Sequence, residues 1–282
     1  MKPQLETGSF VEASGVSAHP DEIRLVSWNI NRGGRLNETI SFLAAMRADL
    51  ILLQETDLNA RRTDCRNVAR DIAQALQMAY VFAWEFEELT EGCNAGSAYH
   101  GQATLSRVPL VRSRVLRFDR QSSFWRPRWF IPRTRLFQRR LGGRIALIND
   151  VELPERKLVL YNVHLESRGS DGLRCDQLSE ICADMGQYGS DVAVVVAGDF
   201  NFNLRNECAS SFVSRSGLSN PFDPPWTRPT TVGSLFHRPR AIDWILTRGS
   251  LVVSEPKVHD SIHASDHYPL SLTLRCMPVW MS

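Results

Sequence analysis

Five short apolar runs, each carrying an amide, carboxylate or imidazole at or near one end, set the tightest limit on what this chain can fold into. They are residues 23–28 (IRLVSW), 50–54 (LILLQ), 157–163 (KLVLYNV), 192–197 (VAVVVA) and 241–246 (AIDWIL). Their short length and their content of Val, Ile and Leu mark them as buried strands rather than helices. Helical patterns lie between them. Residues 37–47 begin at Asn37, a capping type, and place Ile40, Leu43 and Ala44 on one face. Leu178, Ile181, Cys182 and Met185 recur at helical spacing, which predicts a core-facing helix over 172–187. The alternation specifies an α/β protein. Taken alone, it fits a doubly wound parallel sheet as well as two packed sheets.

At 282 residues, with 43% hydrophobic and 23% charged residues, the chain can bury a sizeable core and is not of disordered composition. Residues 1–22 lack periodicity and are predicted to form a flexible arm. Residues 23–276 form the domain, and 277–282 a C-terminal tail. The six cysteines (Cys65, Cys93, Cys175, Cys182, Cys208 and Cys276) form no CxxC pair and no dense framework. Reduced, partly buried thiols are expected, rather than a zinc site or a disulfide scaffold. The opening MKPQLETGSF has no apolar core of a secretory signal, and no run approaches a membrane span. A soluble, cytoplasmic protein is the expectation.

Charge is unevenly spread. The net charge is +2, yet residues 107–144 hold twelve arginines, no lysine and a single acid, Asp119. The remainder is therefore strongly acidic, which suggests an anionic partner for one surface and a carboxylate-rich site elsewhere. Within this stretch, residues 117–143 break the strand–helix pattern with Pro127, Pro132, Gly142 and Gly143, and read as an insertion. Arg126, Arg128, Trp125 and Trp129 in it, together with Arg168, are candidate substrate-binding residues. Arginine pairs bidentately with phosphate, and Trp or Phe stacks on bases, so a nucleic-acid contact is favoured. The same chemistry fits an anionic membrane surface, or a surface loop whose aromatics pack on the domain. Nothing calls for an obligate protein partner.

The polar residues at the run ends carry the functional signal. In chain order they are Asn29 and Asn31 in WNIN, Glu55 after LLQ, His164 in NVHLES, Asp199 and Asn201 in GDFN, Asp243 in IDW, and Asp266 and His267 in SDHYP. Singly, each also suits a turn or a satisfied core position. Together they are hard to explain by packing, because each costs stability if buried without a partner. A pocket of carboxylates and amides without a cysteine suits a hard cation, Mg²⁺ or Mn²⁺, better than zinc.

The order WNIN, LQE, NVHLES, GDFN, IDW, SDHYP resembles the endonuclease/exonuclease/phosphatase superfamily across roughly residues 23–275, with GDFN and SDH its most specific pieces. HGQATLSRVPL (residues 100–110) is similar to the glycine-led strand of that family, with Gln102 where many members carry Asn. HLESRGSDGLRCDQL resembles the segment leading into its Arg-x-x-Gln helix.

The resemblance implies a four-layer α/β sandwich, two packed mixed, mostly antiparallel sheets flanked by helices, with the site at one edge. It implies a Mg²⁺-dependent phosphoesterase, Glu55 being the principal metal ligand, with Asn29, Asn31 and Asp266 assisting. Many relatives carry Asp at the Asn31 position. In the mechanism expected, His267, oriented by Asp243, serves as general base. Asp199 and Asn201 hold the attacking water and a phosphate oxygen, and His164 donates to the developing negative charge. A phosphodiester in nucleic acid is the favoured substrate, with a lipid or small phosphorylated compound as the alternative. A catalytically silent nucleic-acid or membrane binding module is the second alternative, disfavoured because the full residue set is in place.

Overall fold

The computed structural model describes residues 4–11, 22–93, 96–125, 138–153, 157–189, 192–222, 228–233 and 238–276. One sheet runs β1 (Leu5–Ser9), β4 (Ala79–Glu88), β5 (Ala98–Ser106), β3 (Leu50–Leu58), β2 (Ile23–Arg32), β13 (Leu270–Cys276) and β12 (Leu251–Val258), with the short β7 (Arg140–Gly142) also on β4. The second runs β11 (Asp243–Arg248), β10 (Ala193–Asp199), β9 (Lys157–His164), β8 (Ile145–Glu152) and β6 (Leu110–Arg117). β2 with β3 and β9 with β10 pair in parallel, and the other strand pairs are antiparallel. Helices α1 (Leu36–Met46) and α2 (Val68–Leu76) cover the first sheet, and α3 (Asp171–Met185) and α4 (Glu207–Arg215) cover the second. The result is the four-layer sandwich, not a doubly wound parallel sheet.

Strand alternation explains the layers. On β2 and β3, Leu25, Leu50 and Leu52 face the second sheet, where they meet Leu158, Leu160, Val195, Ala197 and Ile245. Their neighbours Val26, Trp28, Ile51 and Leu53 pack under α1 and α2. On β9 and β10, Val159, Tyr161, Val163, Val194 and Val196 pack under α3 and α4. Strands covered on both faces must be apolar at nearly every position, which is why the runs read as continuous rather than alternating. Toward one end the inter-sheet row turns polar. Gln54 donates across the gap to Asn162 (2.8 Å), whose amide donates to the carbonyls of Leu53 and Ala103.

Several expectations are corrected here. Residues 5–9, expected in the loose arm, form β1 on the edge of β4, where Glu6 accepts from Tyr80 and Asn67. Residues 1–3, 12–21 and the tail 277–282 lie outside the described residues. Asn37 is not the cap of α1: Arg35 is the flanking residue and makes no side-chain cap bond. Ser170, by contrast, caps α3 through Leu173 N. The thiols are not all reduced either. Cys65–Cys93 and Cys175–Cys208 are disulfides, and Cys182 is the free cysteine among the described residues. The partners sit 28 and 33 residues apart, so only the folded chain brings them together. The first ties the loop after β3 to the β4–β5 connection, and the second ties α3 to α4. Among the described residues no helix is long and apolar enough to cross a membrane.

Candidate active site

The site forms where the polar ends of the inter-sheet rows meet. β10 sits between β9 and β11 with Asp199 opposite His164 on one side and opposite Asp243 on the other, so three polar groups share one line. Gly198 permits this. Its φ is +141°, and a Cβ there would lie 2.0 Å from the carbonyl oxygen of Val163, so only glycine fits.

The opposing sheet contributes Asn29 and Glu55, and here simple alternation fails. Gln54 already faces the second sheet, so a regular strand would turn Glu55 toward the helices. Instead both β2 and β3 break register, between Asn29 and Arg32 and between Leu53 and Thr56. Asn31, Arg32 and Glu55 take positive φ (45°, 70° and 54°). Such bulges re-aim side chains, and backbone of this kind costs about 1–3 kcal/mol per residue, held by the surrounding sheet. The Asn29 amide then bridges the two sheets, donating to Asp199 Oδ2 (3.1 Å) and Glu55 Oε1 (3.4 Å). Its carbonyl oxygen accepts from Asn31 N.

His267 precedes β13 but reaches across to β11. Its backbone carbonyl accepts from Trp28 Nε1 (2.8 Å), and its Nδ1 lies 2.9–3.0 Å from both oxygens of Asp243. Asp243 also accepts from Thr230 Oγ1 (2.6 Å), a fully buried residue that sequence reasoning passed over because threonine in a loop carries no signal. Nε2 of His267 faces Asp199 Oδ2 at 3.8 Å. Burial alone would favour neutral His267, but Asp243 and then Asp199 outweigh it and push the imidazole up to about 10. Burial raises Asp199 to about 7, further helped by Asp243 and opposed by His267. The imidazole of His267 therefore holds its proton more tightly than an ordinary histidine, and the Asp199 carboxyl takes one up more readily than an ordinary aspartate.

His164 is the opposite case. Burial first, and then the charge of Arg144, hold it well below the usual histidine range. Arg144 Nη1 donates to His164 Nδ1 (2.9 Å), which fixes the proton of the neutral ring on Nε2, facing Asp199 Oδ2 at 3.5 Å. Arg144 in turn pairs with Glu85 (2.8 Å) and donates to Ser167 (2.9 Å). Arg144 was legible only as part of an arginine-rich stretch, and Glu85 carried no signal of its own, since their meeting is a cross-sheet event.

The remaining candidates are placed as follows. Asn201, at φ 56°, donates from its backbone to Asp199 Oδ1 (2.8 Å) and from its amide to Leu165 O (3.0 Å). Asp266 is exposed beside His267 and accepts from Ser265. Trp125 is not a free stacking platform: it is buried on Phe86, and its Nε1 donates to Glu166 (2.8 Å). Arg168 is exposed and lies over the exposed Phe124 ring, 5.4 Å from its centre. Arg126, Arg128 and Trp129 lie outside the described residues.

A divalent ion fits the Glu55 end. Although burial acts to raise the Glu55 carboxyl, His100, Arg144, His267 and Arg32 outweigh it and hold the group ionised. Its carboxylate oxygens, one of which accepts from the Asn29 amide, are donors of the kind a hard cation takes. Asp199, Asp243 and His267 also lie close enough together to share an ion. Their mutual hydrogen bonds and the Thr230 bond already satisfy Asp243 and His267 Nδ1, so the dyad is the better account of that cluster.

A two-sheet sandwich with paired carboxylates, an Asp–His dyad and an amide bridging them defines a phosphoesterase-type site. Residues 26–267 match the model of the Endonuclease/Exonuclease/phosphatase family, and the chain belongs to that family, whose members are typically hydrolases of phosphoester bonds that use a divalent metal. Solved structures agree in fold. An endonuclease/exonuclease/phosphatase from Beutenbergia cavernae is 19% identical, with a TM-score of 0.66 over 90% of this chain and 72% of that one. D. rerio TDP2, humanized by 14 mutations, is 20% identical, with a TM-score of 0.57 over 90% of this chain and 99% of that one. Truncated Caenorhabditis elegans TDP2 is 18% identical, with a TM-score of 0.59 over 92% and 100%. A sequence comparison with curated proteins returns no match.

Proposed function

We propose that the protein hydrolyses a phosphodiester with a divalent ion at Glu55, nucleic acid being the favoured substrate. The observation that carries this reading is the meeting of Glu55, Asn29, Asp199, His164 and the Asp243–His267 dyad at one edge of the sandwich. Glu55, with Asn31 and Asp266 as the further oxygen ligands we assign, would hold the ion, which would supply a Lewis acid for phosphoryl oxygens. Asp199, fixed by the amide of Asn29 and the backbone of Asn201, accepts the proton of the attacking water. This departs from the expectation for His267, whose imidazolium instead donates to phosphate. His164, with its proton on Nε2, supplies a second and neutral donor.

Support for an anionic, extended substrate comes from the basic surface beside these groups. A cleft of about 310 Å³ is lined by Arg205, Arg240, Asn203, Pro229 and Pro239, and Arg240 donates to the carbonyl of Asn201. Arg168 stacked on Phe124 lies at the border of the insertion that carries Arg126, Arg128 and Trp129. We further place the protein in an oxidising compartment rather than the cytoplasm, because two disulfides are the chemistry of such a setting.

The test is a hydrolysis panel with Mg²⁺ and Mn²⁺ on single- and double-stranded DNA, RNA, a phosphotyrosyl-DNA end, phosphoinositides and sphingomyelin. Each substrate is run against Asp199→Asn and against EDTA. Cleavage of a nucleic acid abolished by both is the expected result. Near-normal turnover by a folded Asp199→Asn protein overturns the mechanism, and selective cleavage of a lipid overturns the substrate class.

A further inference from the structure

Asn201 is gripped from both ends. Its backbone N–H donates to Asp199 Oδ1 (2.8 Å), within the site, and its carbonyl accepts from Arg240 Nη2 (3.1 Å), on the side of the neighbouring cleft. Arg240 is itself fixed by residues that serve the dyad. Its N–H donates to Thr231 Oγ1 (2.8 Å), and its carbonyl accepts from the backbone N–H groups of Thr230 and Thr231. Thr230 is also the residue whose hydroxyl holds Asp243 (2.6 Å). Residues 230–231 therefore set the position of both Arg240 and the Asp243–His267 dyad.

The cleft of about 310 Å³ beside Arg240 holds a second arginine, Arg205, with Asn203 and two prolines, Pro229 and Pro239, and no carboxylate lines it among the described residues. Both arginines are exposed, and neither pairs with a carboxylate among the described residues. Arg228 on the same loop, by contrast, is neutralised by Asp260 (2.6 Å). A guanidinium has five N–H groups, and the Asn201 carbonyl engages one of those on Arg240. Two unneutralised guanidinium groups in one concave site match the forked recognition of a phosphate. Proline walls and an anchored arginine leave little to be ordered on binding. The peptide of Asn201 stands between this cleft and Asp199, so a phosphate held there is not the one under attack.

We propose that Arg240 and Arg205 form a subsite for a second, unreacting phosphate of the substrate, the one next to the scissile phosphate on a nucleic-acid strand. This rests on the phosphodiesterase reading above and deepens it. The subsite selects a strand with several phosphates over an isolated diester. The bonds through Asn201 and Thr230 hold the bound phosphate in a fixed relation to Asp199 and the dyad.

The test compares, at saturating Mn²⁺, a dithymidylate with the scissile phosphate alone (TpT) and a trithymidylate with a neighbour to it (TpTpT). The unmodified protein is expected to favour TpTpT in kcat/KM by about 10–100-fold, the worth of charge-assisted phosphate contacts. In Arg205→Met the preference is expected to shrink, and in Arg205→Met/Arg240→Met to disappear, the change falling in KM. Any effect of Arg240→Met on the Asn201 turn lowers both substrates alike and cancels in the ratio. Equal use of the two substrates by the unmodified protein overturns the proposal, as does a preference that survives in the double variant. If neither substrate is cleaved, the hydrolytic reading fails, and the subsite is judged by binding of a fluorescent oligothymidylate to metal-free protein. The slope of log affinity against log salt is then expected to flatten by about 0.7 in the double variant. An unaltered slope, or no binding by the unmodified protein, overturns the subsite as well.

Discussion

Replacing Asp243 by Asn removes one negative charge while leaving the shape of the dyad. The carboxylate lies 2.9–3.0 Å from His267 Nδ1 and is the chief reason the imidazole stays protonated to about 10. Asp199 Oδ2, at 3.8 Å from Nε2, remains. An opposite charge at such range is worth about 1–3 pKa units, so the His267 transition is expected to fall from about 10 into the range of about 7–9. If Asp199 accepts the proton and His267 donates, the unmodified enzyme gains activity as pH rises through the Asp199 transition near 7 and loses it only as His267 deprotonates near 10. In Asp243→Asn the alkaline limb moves down by at least one unit. The maximal rate falls about 10²–10⁴-fold through loss of the oriented donor. The assay is kcat/KM against pH for both proteins on one phosphodiester, with saturating metal held constant, so that an effect of the ion on both profiles cancels in the difference. The two groups interact, so the limbs belong to the pair rather than to either residue. An alkaline limb that stays in place in Asp243→Asn refutes the donor role of His267.

Three further outcomes are expected. Reduction should destabilise the fold: closing loops of 28 and 33 residues limits the unfolded chain by about 3.5–4 kcal/mol per disulfide in the chain-entropy treatment. Thermal melts with and without a phosphine reductant, and thiol titration under denaturing conditions, check this. Six titratable thiols in untreated protein would show the pairs absent. Gly198→Ala places a Cβ 2.0 Å from Val163 O at a positive φ, so it should cost several kcal/mol in urea unfolding, at the upper end of single substitutions. A melt like that of the parent contradicts the close β9–β10 approach. Arg144→Met leaves Glu85 buried and uncompensated, a loss of about 3–5 kcal/mol, part of which Glu85→Met should restore in the double variant. A single variant as stable as the parent removes Arg144 from the site's framework.

Much of this architecture could be read from the chain alone, because β-branched runs covered on both faces must be apolar throughout. The runs at 23–28, 50–54 and 157–163 fall within β2, β3 and β9, those at 192–197 and 241–246 lead into β10 at Ala193 and β11 at Asp243, and the helix expected over 172–187 is α3. The polar residues closing those runs were legible for the same reason: amides and acids at the end of a buried strand need partners. What the chain could not disclose depends on pairs distant in sequence. Glu55 enters the site only because β2 and β3 bulge together, against the alternation its own strand predicts. Two disulfides join cysteines without a recognisable spacing, and β1 finds an edge that no local pattern announces. His100, Arg144, Glu85 and Thr230 gain their meaning from what they face across a sheet or a gap. Proton placement is the clearest case. Histidine is the same residue at 164 and at 267 and is buried at both, yet burial reinforced by an arginine holds the first neutral, while an aspartate outweighs burial and holds the second charged, because the field at a buried imidazole is set by its neighbours in space.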